Sequence, residues 1–268
     1  GQVVVHGDGA LAVAVEGSSL DLRPYFDRER ADNASEQAST PINLTAQVDV
    51  VLLAEDIVLQ GVDAQVAYDG TLVRQATVAG ILAGAGEMIL RLDNGARFDT
   101  RVLTLASNDA GGVFSALDVT DHMVGGTLRL DAVIDDSLPG HPVAGTLAVE
   151  DFHIIDAPAL ATLLNVFTLT GAIAMLQGNG MPFDRFDAPF TYVDGILHLD
   201  DARATSLSMG LTMSGALDIE NDVVDIEGTI VPAYLLNTAL SGIPVIGDIL
   251  TGSAGEGLFA ATYQMEGA

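Results

Sequence analysis

The sequence predicts a mainly β protein with a few short helices, built as an antiparallel sheet of successive hairpins. Three observations carry that expectation. Apolar and polar residues alternate with period two over long stretches. Short turn signals recur between those stretches: Asp69-Gly70, Asp93-Asn94-Gly95, Asp194-Gly195 and Asn221-Asp222. Helical spacing is confined to short segments in the last 120 or so residues. The clearest alternation sets Leu207, Met209, Leu211, Met213, Leu217 and Ile219 against Ser208, Gly210, Thr212, Ser214, Asp218 and Glu220.

In chain order, residues 1–6 read as a strand rather than a leader, and the chain reads as a piece of something longer. Gly7-Asp8-Gly9 is a turn signal, so residues 1–23 form a small first hairpin. Between residues 24 and 41 the composition turns to charged, then to small and amide residues that bury little, which predicts a mobile loop. Residues 42–150 then read as sheet. With Asp69-Gly70 as a two-residue turn, Ala67 faces Leu72 and Val66 faces Val73, dividing apolar residues between both faces. With Asp93-Asn94-Gly95 as the turn, Leu90 faces Phe98.

Residues 151–268 read as a helix-capped sheet continuing the same single segment. Asp156 caps a helix with Pro158 in its first turn and Leu160, Leu163, Leu164 and Phe167 on one face, broken near Thr170-Gly171 and resumed through Ile173 and Leu176. Residues 157–183 carry no charge, but Pro158, Asn165, Gln177 and Asn179 interrupt them. The unbroken apolar run of ~18 residues that a membrane span needs is missing, so this is a buried or interfacial helix. The Asp194-Gly195 turn sets Tyr192 against Leu197 and Phe190 against Leu199. An Asn221-Asp222 turn sets Ile219 against Val224, Leu217 against Ile226 and Met213 against Ile230, all on one face. A second short helix follows Pro232 with Leu235, Leu236 and Leu240, ends at Gly242 and restarts after Pro244.

Composition excludes several functions. A formal net charge of -27, from 37 acidic and 10 basic residues, repels phosphate backbones, so nucleic acid is not a partner. Lysine is absent, which removes the usual phosphate-binding loop and Schiff-base chemistry. Cysteine is absent too, removing thiol catalysis, zinc-thiolate sites and disulfides. The five histidines are scattered, and neither a His-Glu-x-x-His pair nor a Gly-x-Ser-x-Gly elbow occurs. Asp135-Asp136 and Asp200-Asp201 read as solvated turn residues, because neighbours on a strand point to opposite faces. The acidic turns, Asn108-Asp109 among them, lack the twelve-residue calcium loop. These readings name no catalytic residue, no metal ligand and no cofactor.

Several blocks in order carry a family resemblance. They are Asp151-Phe152-His153, Asp156-Ala157-Pro158-Ala159-Leu160-Ala161, Gly180-Met181-Pro182-Phe183-Asp184-Arg185, Pro232-Ala233-Tyr234 with Asn237, Ile243-Pro244, Gly247, and Gly257-Leu258-Phe259-Ala260. Together they resemble the C-terminal region of AsmA-like proteins, most nearly the YhdP type and more distantly TamB. Upstream, Ser19-Leu20-Asp21-Leu22-Arg23-Pro24 and Ser107-Asn108-Asp109-Ala110-Gly111 fit the same pattern. The resemblance implies an elongated, curled, groove-like sheet, a periplasmic segment of a protein anchored in the bacterial inner membrane elsewhere. It implies passage of phospholipids between the inner and outer membranes, and no catalytic residues.

Exposing an acyl chain to water costs about 0.8 kcal/mol per methylene, of order ten kcal/mol for one long chain, and an apolar trough removes most of that barrier. The residues expected to line it are Leu207, Met209, Leu211, Met213, Leu217, Ile219, Val224, Ile226 and Ile230, with Phe190, Tyr192, Leu197 and Leu199 of the neighbouring hairpin. Methionine suits the task because its flexible thioether repacks around chains of different shape. The same residues also suit a closed core packed on Leu160, Leu164, Phe167 and Ile173, or a trough filled under the helix and open at its other end. The alternative function is an envelope protein–protein interaction scaffold, recruiting partners through an acidic outer face and exposed strand edges.

Overall fold

The computed structural model describes residues 2–5, 10–24, 40–54, 57–82, 86–117, 119–166, 176, 180–219, 221, 223–232 and 261–267. The chain divides into two compact units, Gly1–His141 and Pro142–Ala268. Both are sheets of successive hairpins with short helices, so the fold is mainly β as the alternation predicts. The 24–41 loop, the helical continuation through Phe167 and Ile173 and the helices after Pro232 lie outside the described residues, apart from single residues at their margins. No helix among the described residues is long and apolar enough to cross a membrane.

The first unit contains β1 (Gln2–Val5), β2 (Leu11–Gly17), β3 (Leu20–Asp21), β4 (Ile42–Leu52), β5 (Val58–Tyr68), β6 (Val73–Leu82), β7 (Glu87–Asn94), β8 (Thr100–Ser107), α1 (Ala110–Ala116) and β9 (Met123–Asp135). Sheet order is β1-β2-β4-β5-β6-β7-β8-β9, with β3 also on β4. Neighbours are antiparallel except that β2 and β3 run parallel to β4. A parallel step needs a long crossover, and the segment between β2 and β4 has the length for one. Turn signals do not report that step, so the purely antiparallel expectation fails there.

One apolar rung crosses seven strands as successive partners: Val13, Leu44, Val66, Ala76, Leu92, Leu103 and Ala132. The next rung is Val15, Ala46, Ala64, Val78, Leu90, Leu105 and Leu130. Strict alternation would carry the long β5 out of phase with β6. Gly61 prevents this: at φ +59 it adds one residue, and Leu59 and Val62, three apart, are both buried.

Two turns in this unit are longer than their sequence signals suggest. Asp69 accepts from the amides of Thr71 and Leu72, and its own amide donates to the Leu72 carbonyl, so the turn spans four residues and Tyr68 pairs with Val73. Ala67 therefore pairs with Gln75 and Val66 with Ala76, not with Leu72 and Val73. Past Asp93-Asn94-Gly95 the turn runs on until the Gly95 amide meets the Thr100 carbonyl at 2.7 Å. Leu90 consequently pairs with Leu105, and Phe98, expected opposite Leu90, is 99% exposed in the turn.

A helix also stands where an acidic turn was expected. The Asp109 carboxylate accepts from the Gly112 amide at 3.1 Å and caps α1. Gly111 and Gly112 hide this helix from propensity. Packing requires the first of them, since a Cβ at Gly111 would collide with the Met123 carbonyl of β9.

Asp136 is another correction. Its side chain is 6% exposed, not solvated, and Arg101 clamps it with two donors at 2.8 and 2.7 Å. Arg101 also donates to the Val73 carbonyl of β6 at 3.0 Å, while Arg74 and His141 approach Asp136 to 3.7 and 3.3 Å. The Arg101 guanidinium holds the Asp136 carboxyl below the usual carboxylate range, against the opposing effect of burial. This cluster ties the ends of β6, β8 and β9 together.

The second unit contains β10 (Val143–Ile154), α2 (Pro158–Val166), β11 (Met181–Val193), β12 (Ile196–Thr205), β13 (Met209–Asp218), β14 (Val223–Pro232) and β15 (Ala261–Gly267). Each strand from β10 to β15 pairs antiparallel with the next. Asp194 at φ 49 and Gly195 at φ 82 make the tight turn expected, with Tyr192 opposite Leu197 and Phe190 opposite Leu199. The β13–β14 register differs from expectation. Leu217, not Ile219, pairs with Val224; Gly215 pairs with Ile226; and Leu211, not Met213, pairs with Ile230. The Asp218 carboxylate accepts from the amide and side chain of Asn221, at 3.1 and 2.8 Å, which holds a loop longer than two residues. The shift is two residues, so parity and the apolar face survive it.

Candidate functional site

Pairing across the second unit assembles its apolar residues into parallel rungs on one face. The first holds Val143, Tyr192, Leu197, Leu217 and Val224. The second holds Gly145, Phe190, Leu199, Gly215, Ile226 and Met265. A third runs through Leu147 and Ala188 and, past a bulge, through Ala202, Met213, Gly228 and Tyr263. The fourth is Val149, Phe186, Ala204, Leu211 and Ile230. Partners in an antiparallel pair project to the same side, so these rungs form one continuous surface without a charged side chain.

The bulge keeps the surface continuous. Leu199 and Ala202 would fall on opposite faces under strict alternation, but Asp201 sits at φ 55 and the register shifts between them. Asp200-Asp201 is thus a bulge that re-phases β12, not a turn. Asp151 at φ 56 stands likewise between Val149 and Phe152, three apart and both buried. An aspartate tolerates this backbone better than most residues, because its short side chain bonds locally.

The structure brings together Met209, Leu211, Met213, Leu217, Val224, Ile226 and Ile230 with Phe190, Tyr192, Leu197 and Leu199. It leaves out two residues expected with them. Leu207 is 85% exposed in the turn between β12 and β13, and Ile219 is 57% exposed in the loop after β13. Alternation alone had extended the strand one pair too far at each end. Residues of β10, Val143, Leu147 and Val149, belong to the same face, and their own period-two spacing was the signal for them. Tyr263 and Met265 had no turn signal to announce them.

Exposure changes along the face. At the end nearest the Asp194-Gly195 turn, Tyr192 is 36% exposed and Leu197, Leu217 and Val224 are half-buried. At the other end Met181, Met209 and Ile230 are fully buried, and Phe152 stacks on Phe183 with ring centroids 5.3 Å apart and planes 9° from parallel. Leu164 of α2 and Leu176 are buried as well.

The opposite face is polar. Arg185 bonds Glu150 at 2.6 Å and Asp187 at 2.5 Å, and Arg203 pairs with Asp201. Cationic side chains here are neutralised by near neighbours, while Asp225 stands opposite Glu266 across β14 and β15. Among the described residues no cluster of three or more histidine or carboxylate groups could hold a metal ion. No known protein family, no curated protein and no solved structure matches this chain.

Proposed function

We propose that this chain is a non-enzymatic lipid-binding and lipid-conducting segment, sheltering phospholipid acyl chains on their way between the inner and outer membranes of a Gram-negative envelope. It would lie in the periplasm as part of a protein anchored in the inner membrane through regions outside this chain. One observation carries the reading: uncharged apolar rungs run across five or six adjacent strands and grade into a partly exposed end, a contiguous apolar surface of the kind that marks a binding face. An acyl chain laid on that surface loses the water contact that costs about 0.8 kcal/mol per methylene. The resemblance of the 151–268 blocks to AsmA-like proteins points the same way.

The test is lipid content. Protein purified from a bacterial host should carry phospholipid detectable by mass spectrometry, and Leu217→Asp or Met213→Asp should reduce it about tenfold. Asp225→Arg on the polar face should leave it unchanged. Circular dichroism and thermal melts identify any variant that has lost its fold. Lipid-free wild-type protein, after incubation with vesicles of phosphatidylethanolamine and phosphatidylglycerol, would refute the proposal. Retention of lipid by folded Leu217→Asp and Met213→Asp together would place the bound lipid elsewhere.

A further inference from the structure

We infer that the apolar face of the second unit is blind: acyl chains reach it past Tyr192 and Leu217, and they stop before the Phe152–Phe183 stack. This rests on the lipid reading above and adds a direction to it. The exposure of the rungs falls along the strands, from Tyr192 at 36% to Met209 at 0%. Positions between them, such as Leu211 and Met213, are half-buried.

The closed end is made of the chain's own side chains. Phe152 and Phe183, stacked at 5.3 Å, are each 3% exposed and leave no ring face for a ligand. Met181 and Met209 are fully buried, as is Leu164. Interiors packed in this way have no room for a methylene chain without displacing what fills them. At the open end the tight Asp194-Gly195 turn is too short to fold back over the face, and Tyr192 places an aromatic ring with a polar tip at the boundary with water. Such a ring suits the point where a tail leaves water and a headgroup stays in it. Within the second unit, chains therefore enter and leave the face at the Tyr192 end of the strands and not at the Phe152–Phe183 end.

Photolabelling of the unmodified protein reads this directly. Vesicles of phosphatidylethanolamine and phosphatidylglycerol, doped with a phospholipid bearing a diazirine on its acyl chain, are incubated with the full chain and irradiated, and labelled residues are mapped by mass spectrometry after cleavage at acidic residues. Label is expected on peptides carrying residues 190–199 and 213–226, at least tenfold above peptides carrying Phe152, Phe183 or Met209. A diazirine fatty acid run in parallel separates a phospholipid from a free acid: equal labelling by both means that the acyl chain alone is recognised at the same end. Comparable label on Phe183 and Met209 peptides would overturn the blind end while leaving the lipid reading intact. Absence of label anywhere would overturn both. As a second measurement, Tyr192→Asp, at a position already partly in water, should cut labelling of 190–199 severalfold with an unchanged melt.

Discussion

Tyr263 lies across Gly228: the phenol hydroxyl passes over the glycine and donates to the Thr212 carbonyl at 2.9 Å. The two are cross-strand partners between β14 and β15, so the ring occupies the place where a side chain on residue 228 would stand. A Cβ at Gly228 would lie 2.5 Å from the Tyr263 hydroxyl and collide with the Thr212 carbonyl. The glycine is needed for closeness, not for an unusual φ. Burial raises the Tyr263 phenol above its ordinary range, so it remains a donor throughout the physiological range.

Gly228→Ala is expected to destabilise the second unit by about 1–3 kcal/mol, the usual cost of overpacking. Tyr263→Phe should lose about 1 kcal/mol with the hydrogen bond alone. Urea melts give both values, and amide exchange should show protection lost first at residues 261–267. A Gly228→Ala protein as stable as wild type would mean that the ring does not hold β15 in place.

The Arg101–Asp136 pair makes a prediction about charge. Both side chains are largely buried, at 11% and 6% exposure. Arg101→Met strands the carboxylate among weaker partners and should cost about 3–5 kcal/mol. Arg101→Met combined with Asp136→Leu should recover much of that loss, because the pair is removed whole. A double-mutant cycle on denaturant melts measures the coupling, and strictly additive losses would contradict it.

Asp69 sets a pH window. The Leu72 amide, the Arg74 guanidinium and the Thr71 amide hold its carboxyl at about 2, below the ordinary value of 3.8. A carboxylate whose folded pKa is depressed contributes stability that is complete above its unfolded pKa and disappears as pH falls through the folded one. The Asp69 contribution is therefore present at neutral pH and fades between about pH 4 and pH 2. Asp69→Asn should flatten stability against pH in that interval, and melts at successive pH values test it. An identical acid limb in wild type and variant would remove Asp69 from the cause.

Salt should stabilise this protein. With a net charge of -27, and with Arg129, Arg185 and Arg203 engaged by nearby carboxylates, unmatched acid groups repel one another, as Asp225 and Glu266 do across a strand pair. The screening length falls from about 10 Å at 0.1 M to about 3 Å at 1 M salt. Tm should rise by several degrees over that range in sodium chloride, beyond the modest rise of a Glu266→Gln/Asp225→Asn variant. A flat or falling Tm would show that the repulsion is already relieved within the fold.

Much of this architecture was legible along the chain because period two is a local property. Alternation from Met209 to Asp218 determined which residues share a face, and Asp194-Gly195 determined a register, since a two-residue turn leaves the pairing no freedom. Where a turn was longer, as at Asp218 and Asn221 or between Gly95 and Thr100, side-chain and backbone bonds across the loop set its length, and dipeptide signals understated it. The face survived at Asn221 because a two-residue slip keeps parity.

Tertiary structure alone decided three things. It placed β2 parallel to β4, a pairing whose partners are about thirty residues apart and separated by no local signal. It joined Arg101 to Asp136 across 35 residues, turning an expected surface acid into a buried anchor. It also decided where the greasy surface is filled and where it meets water, because burial depends on what packs above a strand, and no spacing within the strand records that. The sequence determined that one side of each sheet is apolar; the assembled chain determined that Phe152 and Phe183 are buried at one end of that side and that Tyr192 is partly exposed at the other.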